Sequence, residues 1–253
     1  MDSTNPSTSR SIRFDRGRHW KAKLGFVVLA NEQTIEEDMF RMAPPGVGLH
    51  FSRVKMANTI AIDTLEAVGQ GLAGSAELIL PDGELDVVCY ACTSGSLVLG
   101  EDRVCEELKR GAPNAAATSL ITTVKEALRA VNAHRIVVAT PYIDEINKME
   151  ADYLNDKGFN VLDIQGLRIE NDSDMVRVEP AFLEEFARSL DRPDADAIFI
   201  SCGALRSIDI LDQLEQKVNK PVIASNQAMM WSTLRLAGVK EPVEGYGKLL
   251  REN

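Results

Sequence analysis

The stretch D-V-V-C-Y-A-C, Asp86 to Cys92, returns 110 positions later as D-A-I-F-I-S-C, Asp196 to Cys202. Each copy is an aspartate, five mostly apolar residues and a cysteine. A short apolar run of this kind reads as a buried strand. A second pair keeps the same offset: G-F-V-V-L-A-N-E-Q-T-I-E-E-D-M from Gly25 and R-I-V-V-A-T-P-Y-I-D-E-I-N-K-M from Arg135. Both read as strand, short loop and acidic helix start. Two strand pairs sharing one offset imply an internal repeat. A looser match, P-N-A-A-A-T-S at Pro113 and P-V-I-A-S-N-Q at Pro221, extends it at an offset of 108.

Working outward, strands are expected over 24–30, 86–91, 136–140, 198–201 and 222–225. Helices are expected over 59–71, capped by Asn58 or Thr59, and over 97–109, 144–157, 208–218 and 228–237. Alternation of strand and helix predicts α/β architecture with parallel sheets. The expectation is two pseudo-symmetric lobes, each a parallel sheet flanked by helices, with the active site in the cleft between them. Residues 1–21 read as a flexible arm, 22–117 as the first lobe and 118–221 as the second. Residues 222–253 are expected to pack back on the first lobe.

The chain has 253 residues, enough for a sizeable core, and a net charge of -10. An acidic chain is poorly suited to nucleic acid or an anionic membrane surface, and no apolar run is long enough to span a bilayer. The polar start, M-D-S-T-N-P-S-T-S-R, lacks the apolar core of an export signal. The expectation is therefore a cytoplasmic protein with free thiols at Cys89, Cys92, Cys105 and Cys202.

Cys89-Y-A-Cys92 has C-x-x-C spacing. A zinc site needs a second ligand pair, and His19, His50 and His134 do not cluster in the sequence. Cys89 lies within the apolar run, so it reads as a small core residue rather than half of a redox pair. Cys92 and Cys202 differ, because both stand at the carboxyl ends of equivalent strands, where open α/β sheets bind ligands. Cys92-T-S-G-S leads into a helix, and backbone N–H groups there, with Thr93 and Ser94, suit an anion. Cys202-G-A-L-R repeats the arrangement, with Gly203 admitting close backbone approach. Tyr142 opens the loop after another strand, with Glu32 as its counterpart in the first lobe. Asn171, Ser225 and Asn226 are further polar candidates, and Arg206 reads as a partner of Asp209.

These pieces together resemble the aspartate/glutamate racemase superfamily, in the branch of maleate cis-trans isomerase and arylmalonate decarboxylase. The resemblance runs from about Leu24 to Gly238. It rests on A-C-T-S at Ala91, A-T-P-Y-I-D-E-I-N at Ala139, S-C-G-A-L at Ser201 and W-S-T-L-R-L-A-G at Trp231. It implies a cofactor-independent isomerase or racemase with two opposed catalytic cysteines, Cys92 and Cys202. It implies a small carboxylate substrate held by Thr93, Ser94, Tyr142 and Gly203, and a homodimer. Arylmalonate decarboxylases have glycine where Cys92 stands, which makes a decarboxylase the second expectation; a carboxylate-binding protein without catalysis is the third. Maleate isomerases carry P-S-S-N-T-T after the first strand, whereas this chain reads L-A-N-E-Q-T. Glu32 there repels a dicarboxylate unless Asn31 substitutes. The chain also looks like the ectoine-utilisation branch, whose implied substrate is an amino acid derivative. Glu32 then meets an ammonium or amide N–H.

Overall fold

The computed structural model describes residues 11–81 and 85–253. The strands are β1 (Ala22–Leu29), β2 (Val47–Val54), β3 (Val87–Tyr90), β4 (Ala116–Ser119), β5 (Arg135–Thr140), β6 (Asn160–Gly166), β7 (Ala197–Ile200) and β8 (Val222–Ala224). They form two sheets of four, in the orders β2-β1-β3-β4 and β6-β5-β7-β8, with every pairing parallel. The two halves therefore repeat one topology.

The repeated aspartates explain part of that likeness. The Asp86 carboxylate accepts the Lys23 backbone N–H at 2.8 Å. The Asp196 carboxylate accepts the backbone N–H groups of Arg135 at 2.7 Å and His134 at 3.1 Å. Each carboxylate pins the start of a central strand to the start of its neighbour and so fixes the register of the pair. The Arg135 side chain and the same N–H groups hold Asp196 below the usual carboxylate range. All four residues of β3 and all four of β7 are buried. Continuous apolar strands are what a parallel sheet covered on both faces requires.

Several elements differ from the sequence expectation. The edge strands β2 and β6 were not anticipated; both mix polar and apolar residues and are only partly buried. The helix expected over 97–109 is two helices, Thr93–Leu99 and Glu101–Gly111. They break at Gly100, whose φ of 82° lies where glycine is favoured. The helix expected from residue 59 starts at Ile62, where the Thr64 hydroxyl accepts the Ala61 N–H at 3.0 Å. Asn58 and Thr59 instead pair across the lobes: Thr59 forms an antiparallel bridge with Asn171.

The placement of 222–253 on the first lobe is corrected in its first strand. β8 is the edge of the second sheet, paired with β7. The helix that follows, Ser225–Leu236, packs on the helix Ile35–Met42 and on β3 of the first lobe, and also on the helix Leu120–Ala130, which lies within residues 118–221. Of the arm expected over 1–21, residues 1–10 lie outside the described residues. Residues 11–20 have no regular structure, but the end of the arm is anchored. The His19 ring meets His50 edge-on at 5.1 Å, and the Lys21 N–H donates to the Gly46 carbonyl at 2.9 Å.

Candidate active site

At the carboxyl ends of the strands, the two lobes meet around a narrow cavity. Cys92, Thr93 and Ser94 reach it from the end of β3; Cys202 and Gly203 reach it from the end of β7. Tyr142 enters after β5 and Glu32 after β1. Leu29, Ile60 and Met175 supply an apolar wall, and Asp172 a second carboxylate.

Cys92 caps the helix Thr93–Leu99 with its sulfur, which accepts the Gly95 N–H at 3.3 Å. Its Sγ also lies 3.7 Å from the Ser94 hydroxyl. The Tyr90 hydroxyl sits beneath Gly95 without a well-formed hydrogen bond. Burial pushes the Cys92 thiol up to about 11, while the Gly95 N–H, Ser94 and Tyr90 pull the other way. Cys202 does not repeat this geometry. No helix starts after it; its φ is +100°, a strained conformation for a side chain with a Cβ. Burial and then the charge of Asp172 push its thiol well above the ordinary range, against the Tyr142 hydroxyl and the Ala204 N–H. The two thiols are 7% and 6% exposed.

Ser225 ties the two cysteine segments together. Its hydroxyl lies 3.1 Å from the Thr93 hydroxyl and accepts the Cys202 backbone N–H at 3.0 Å. Asn226 lies behind the cavity, donating to Asp38 and to the Gly203 carbonyl, both at 2.8 Å. A side chain at position 203 would meet Ile35 at 2.8 Å, so the glycine is a packing requirement as well as a floor for the cavity. Below Cys202, the Ser201 hydroxyl donates to Glu150 at 2.7 Å. Glu150 is fully buried, and burial pushes it up to about 7, against that hydrogen bond.

The two carboxylates of the lining differ in kind. One Glu32 oxygen accepts the N–H groups of Gln33, Thr34 and Ile35 and closes the start of the helix Ile35–Met42. Burial raises its pKa, opposed by those N–H groups and by Arg53. Asp172 has no comparable support. It is 4% exposed, and its Oδ2 is buried without a hydrogen-bond partner. Burial and then the charge of Glu32 push it up to about 6.

Cys92, Cys202, Thr93, Ser94, Tyr142, Gly203 and Glu32 thus share one cavity. Asn31 and Asn171 do not line it. Asn31 lies beside Glu32 on the outer side of the turn, where its carbonyl faces the Gln33 side chain at 3.5 Å. The Asn171 backbone is held by the bridge to Thr59, and its side chain turns to Asp174 at 3.4 Å. Arg206 does not pair with Asp209. It donates to the Val178 carbonyl at 3.0 Å, and Asp209 pairs with Arg41 at 2.6 Å. Asp172 was missed although its neighbour Asn171 was a candidate. Which of two adjacent side chains faces inward depends on the bridge at Asn171, which no local pattern announces. Cys89 is a buried, free core thiol.

Fold and cavity together define a two-lobed α/β protein with a pair of thiols at its centre. A family model described as arylmalonate decarboxylase matches residues 55–250, and the chain belongs to that family. It is 28% identical over 243 residues to a maleate isomerase of Nocardia farcinica, covering 91% of this chain and 96% of that one. It is 33% identical over 147 residues to an arylmalonate decarboxylase of Bordetella bronchiseptica, covering 57% and 61%. Among solved structures, it resembles a mutant maleate cis-trans isomerase from Nocardia farcinica with a covalently bound succinylcysteine intermediate. There the TM-score is 0.84 and the identity 26%, with 92% and 99% of the two chains covered.

Proposed function

We propose that the protein is a cofactor-independent isomerase that acts on a small carboxylate through Cys92 and Cys202. The observation that carries this reading is the meeting of both thiols, one from each half of the repeat, in one narrow cavity. Thr93, Ser94 and Tyr142 stand beside them to receive a carboxylate. The electrostatics divide the roles. Cys92 has the Gly95 N–H and the Ser94 hydroxyl to stabilise a thiolate, so it is the base or nucleophile. Cys202 lies at the other end of the cavity against the charge of Asp172, which disfavours its thiolate, and it delivers the proton. For racemisation, the Cys92 thiolate removes an α-proton and Cys202 protonates the other face. For cis-trans isomerisation, the Cys92 thiolate adds to one alkene carbon while Cys202 protonates the other, the resulting single bond rotates, and Cys202 takes a proton back as the C–S bond breaks and the Cys92 thiolate leaves. The succinylcysteine of the Nocardia farcinica relative supports thiol addition as chemistry open to this fold.

The test is proton NMR in D2O with maleate, aspartate, glutamate and an arylmalonate. Fumarate from maleate identifies cis-trans isomerisation; deuterium at an α-carbon identifies racemisation. Cys92→Ser and Cys202→Ser are each expected to lower turnover by at least about 100-fold. Near-normal turnover in both refutes the two-thiol reading. The match to the decarboxylase family keeps that reaction as a second reading, recognised by CO2 release that survives Cys92→Ser.

A further inference from the structure

The φ of +100° at Cys202 is one that a residue with a Cβ keeps only where its surroundings over-determine it. Regular structure does not supply that restraint, because the chain from Ser201 to Arg206 belongs to no helix or strand. Gly203, next in line, has no side chain to restrict its backbone. The restraint comes from three side chains outside the segment. The Ser225 hydroxyl accepts the Cys202 N–H at 3.0 Å. The Asn226 amide donates to the Gly203 carbonyl at 2.8 Å, and the Thr34 hydroxyl donates to the Ala204 carbonyl at 2.9 Å. None of the three lines the cavity. Relaxing φ turns the chain after Cys202 against the peptide before it. Ser225 holds the peptide before; Asn226 and Thr34 hold the chain after. The turn therefore breaks at least one of these hydrogen bonds.

The grip of Asn226 depends on one more residue. Its amide nitrogen also donates to Oδ2 of Asp38, in the helix Ile35–Met42, at 2.8 Å. A carboxyl oxygen and a carbonyl are both acceptors there, and together they decide which way the amide faces. Asp38 is buried and does not line the cavity. Burial pushes it up to about 7, against the Asn226 hydrogen bond and the charge of Arg41, while Asp209 and Glu32 add to the rise. An acid kept inside at that cost has a task there. We infer that Asp38 and Asn226 are positioning residues for Cys202: Asp38 orients the Asn226 amide, and Asn226 holds the Gly203 carbonyl so that Cys202 stays at positive φ with its thiol in the cavity. The role rests on Cys202 being a catalytic thiol of the proposed isomerase. Asp38 and Thr34 belong to the first lobe and Cys202 to the second, so one half of the repeat sets the thiol of the other.

The experiment joins crystal structures of the whole protein to steady-state kinetics with maleate. In Asn226→Ala and in Asp38→Leu, the Cys202 φ is expected to leave the positive region and its Sγ to leave the cavity. Leucine fills the space of Asp38 and removes a buried acid, so this second variant folds where an alanine at position 226 does not; a cooperative melt certifies each fold. Asp38→Asn keeps an oxygen that accepts the Asn226 N–H. In Asp38→Leu, kcat is expected to fall about 10- to 100-fold, the scale of a misplaced catalytic group. KM is expected to stay within about 3-fold, because Thr93, Ser94 and Tyr142 receive the carboxylate from other elements. In Asp38→Asn, kcat is expected to remain within about 3-fold of the parent. A merely structural role lowers the melting temperature without this split and without rescue by asparagine. The inference is overturned if Cys202 keeps its φ and its thiol position in a folded Asn226→Ala or Asp38→Leu. It is equally overturned if Asp38→Asn loses as much turnover as Asp38→Leu. The conformation of Cys202 is read without turnover. With a parent inactive on maleate it decides alone, whereas Cys202→Ser tests the thiol and not its support.

Discussion

Replacing Glu150 by glutamine is expected to stabilise the protein, and only above the range where carboxylates normally titrate. Glu150 is fully buried in the helix Asp144–Asp156; one oxygen accepts the Ser201 hydroxyl and the other has no partner. Burial moves its pKa from 4.5 to about 7. The folded protein thus holds this proton more tightly than the unfolded chain does. The contribution of Glu150 to stability falls as pH rises from 4.5 to about 7, and is flat beyond. At 1.36 kcal/mol for each pKa unit, the total is about 3 kcal/mol. Glutamine keeps an oxygen for Ser201 and, like the protonated acid, leaves one buried donor unpaired. The two proteins are therefore expected to match at low pH. Above about pH 8 the variant gains about 3 kcal/mol, or roughly 6–12 °C in melting temperature. Asp38 and Asp172, also raised by burial, tilt both curves alike and cancel in the difference. Urea unfolding followed by circular dichroism at about pH 4 and about pH 8 measures it. A difference independent of pH, or a variant less stable at the higher pH, refutes the reasoning.

Two further substitutions probe the scaffold of the site. Ser225→Ala removes the hydroxyl shared by Thr93 and Cys202 and leaves the Cys202 N–H buried without an acceptor. The expected loss is about 1–3 kcal/mol by urea unfolding, with lower turnover; an unchanged unfolding midpoint refutes the bridging role. Gly95→Ala places a methyl 2.2 Å from the Tyr90 hydroxyl, so thermal melts are expected to show a loss of about 1–3 kcal/mol. Tyr90→Phe deletes that hydroxyl and is expected to restore most of the stability in the double variant; an additive loss would place the clash elsewhere.

The central strands were legible because the same pattern occurs twice. An aspartate, an apolar run and a cysteine at one offset located β3 and β7 to within a residue at their starts. The strands β2 and β6 were not legible for the opposite reason. V-G-L-H-F-S-R-V and N-V-L-D-I-Q-G are partly exposed and carry polar residues among the apolar ones. Cys92 and Cys202 looked alike in sequence, yet one caps a helix and the other sits at positive φ. The difference follows from what comes next: T-S-G-S enters a helix at once, whereas G-A-L-R makes a turn first. Asp172 and Ser225 matter through contacts between lobes, and a linear pattern does not encode which lobe faces which.

The pairing between residues 58–60 and 170–173 has a kinetic side. The Ile60 N–H donates to the Glu170 carbonyl at 2.9 Å and the Asp172 N–H to the Asn58 carbonyl at 3.0 Å. The Ser173 N–H adds the Asn58 side chain at 3.2 Å. Ile60 and Asp172, one from each side of this seam, both line the cavity. A molecule that passes between them must part the seam. At about 1 kcal/mol net for each hydrogen bond, the parted form is roughly one molecule in a hundred. For traffic by this route, the second-order rate of entry is lowered by that fraction.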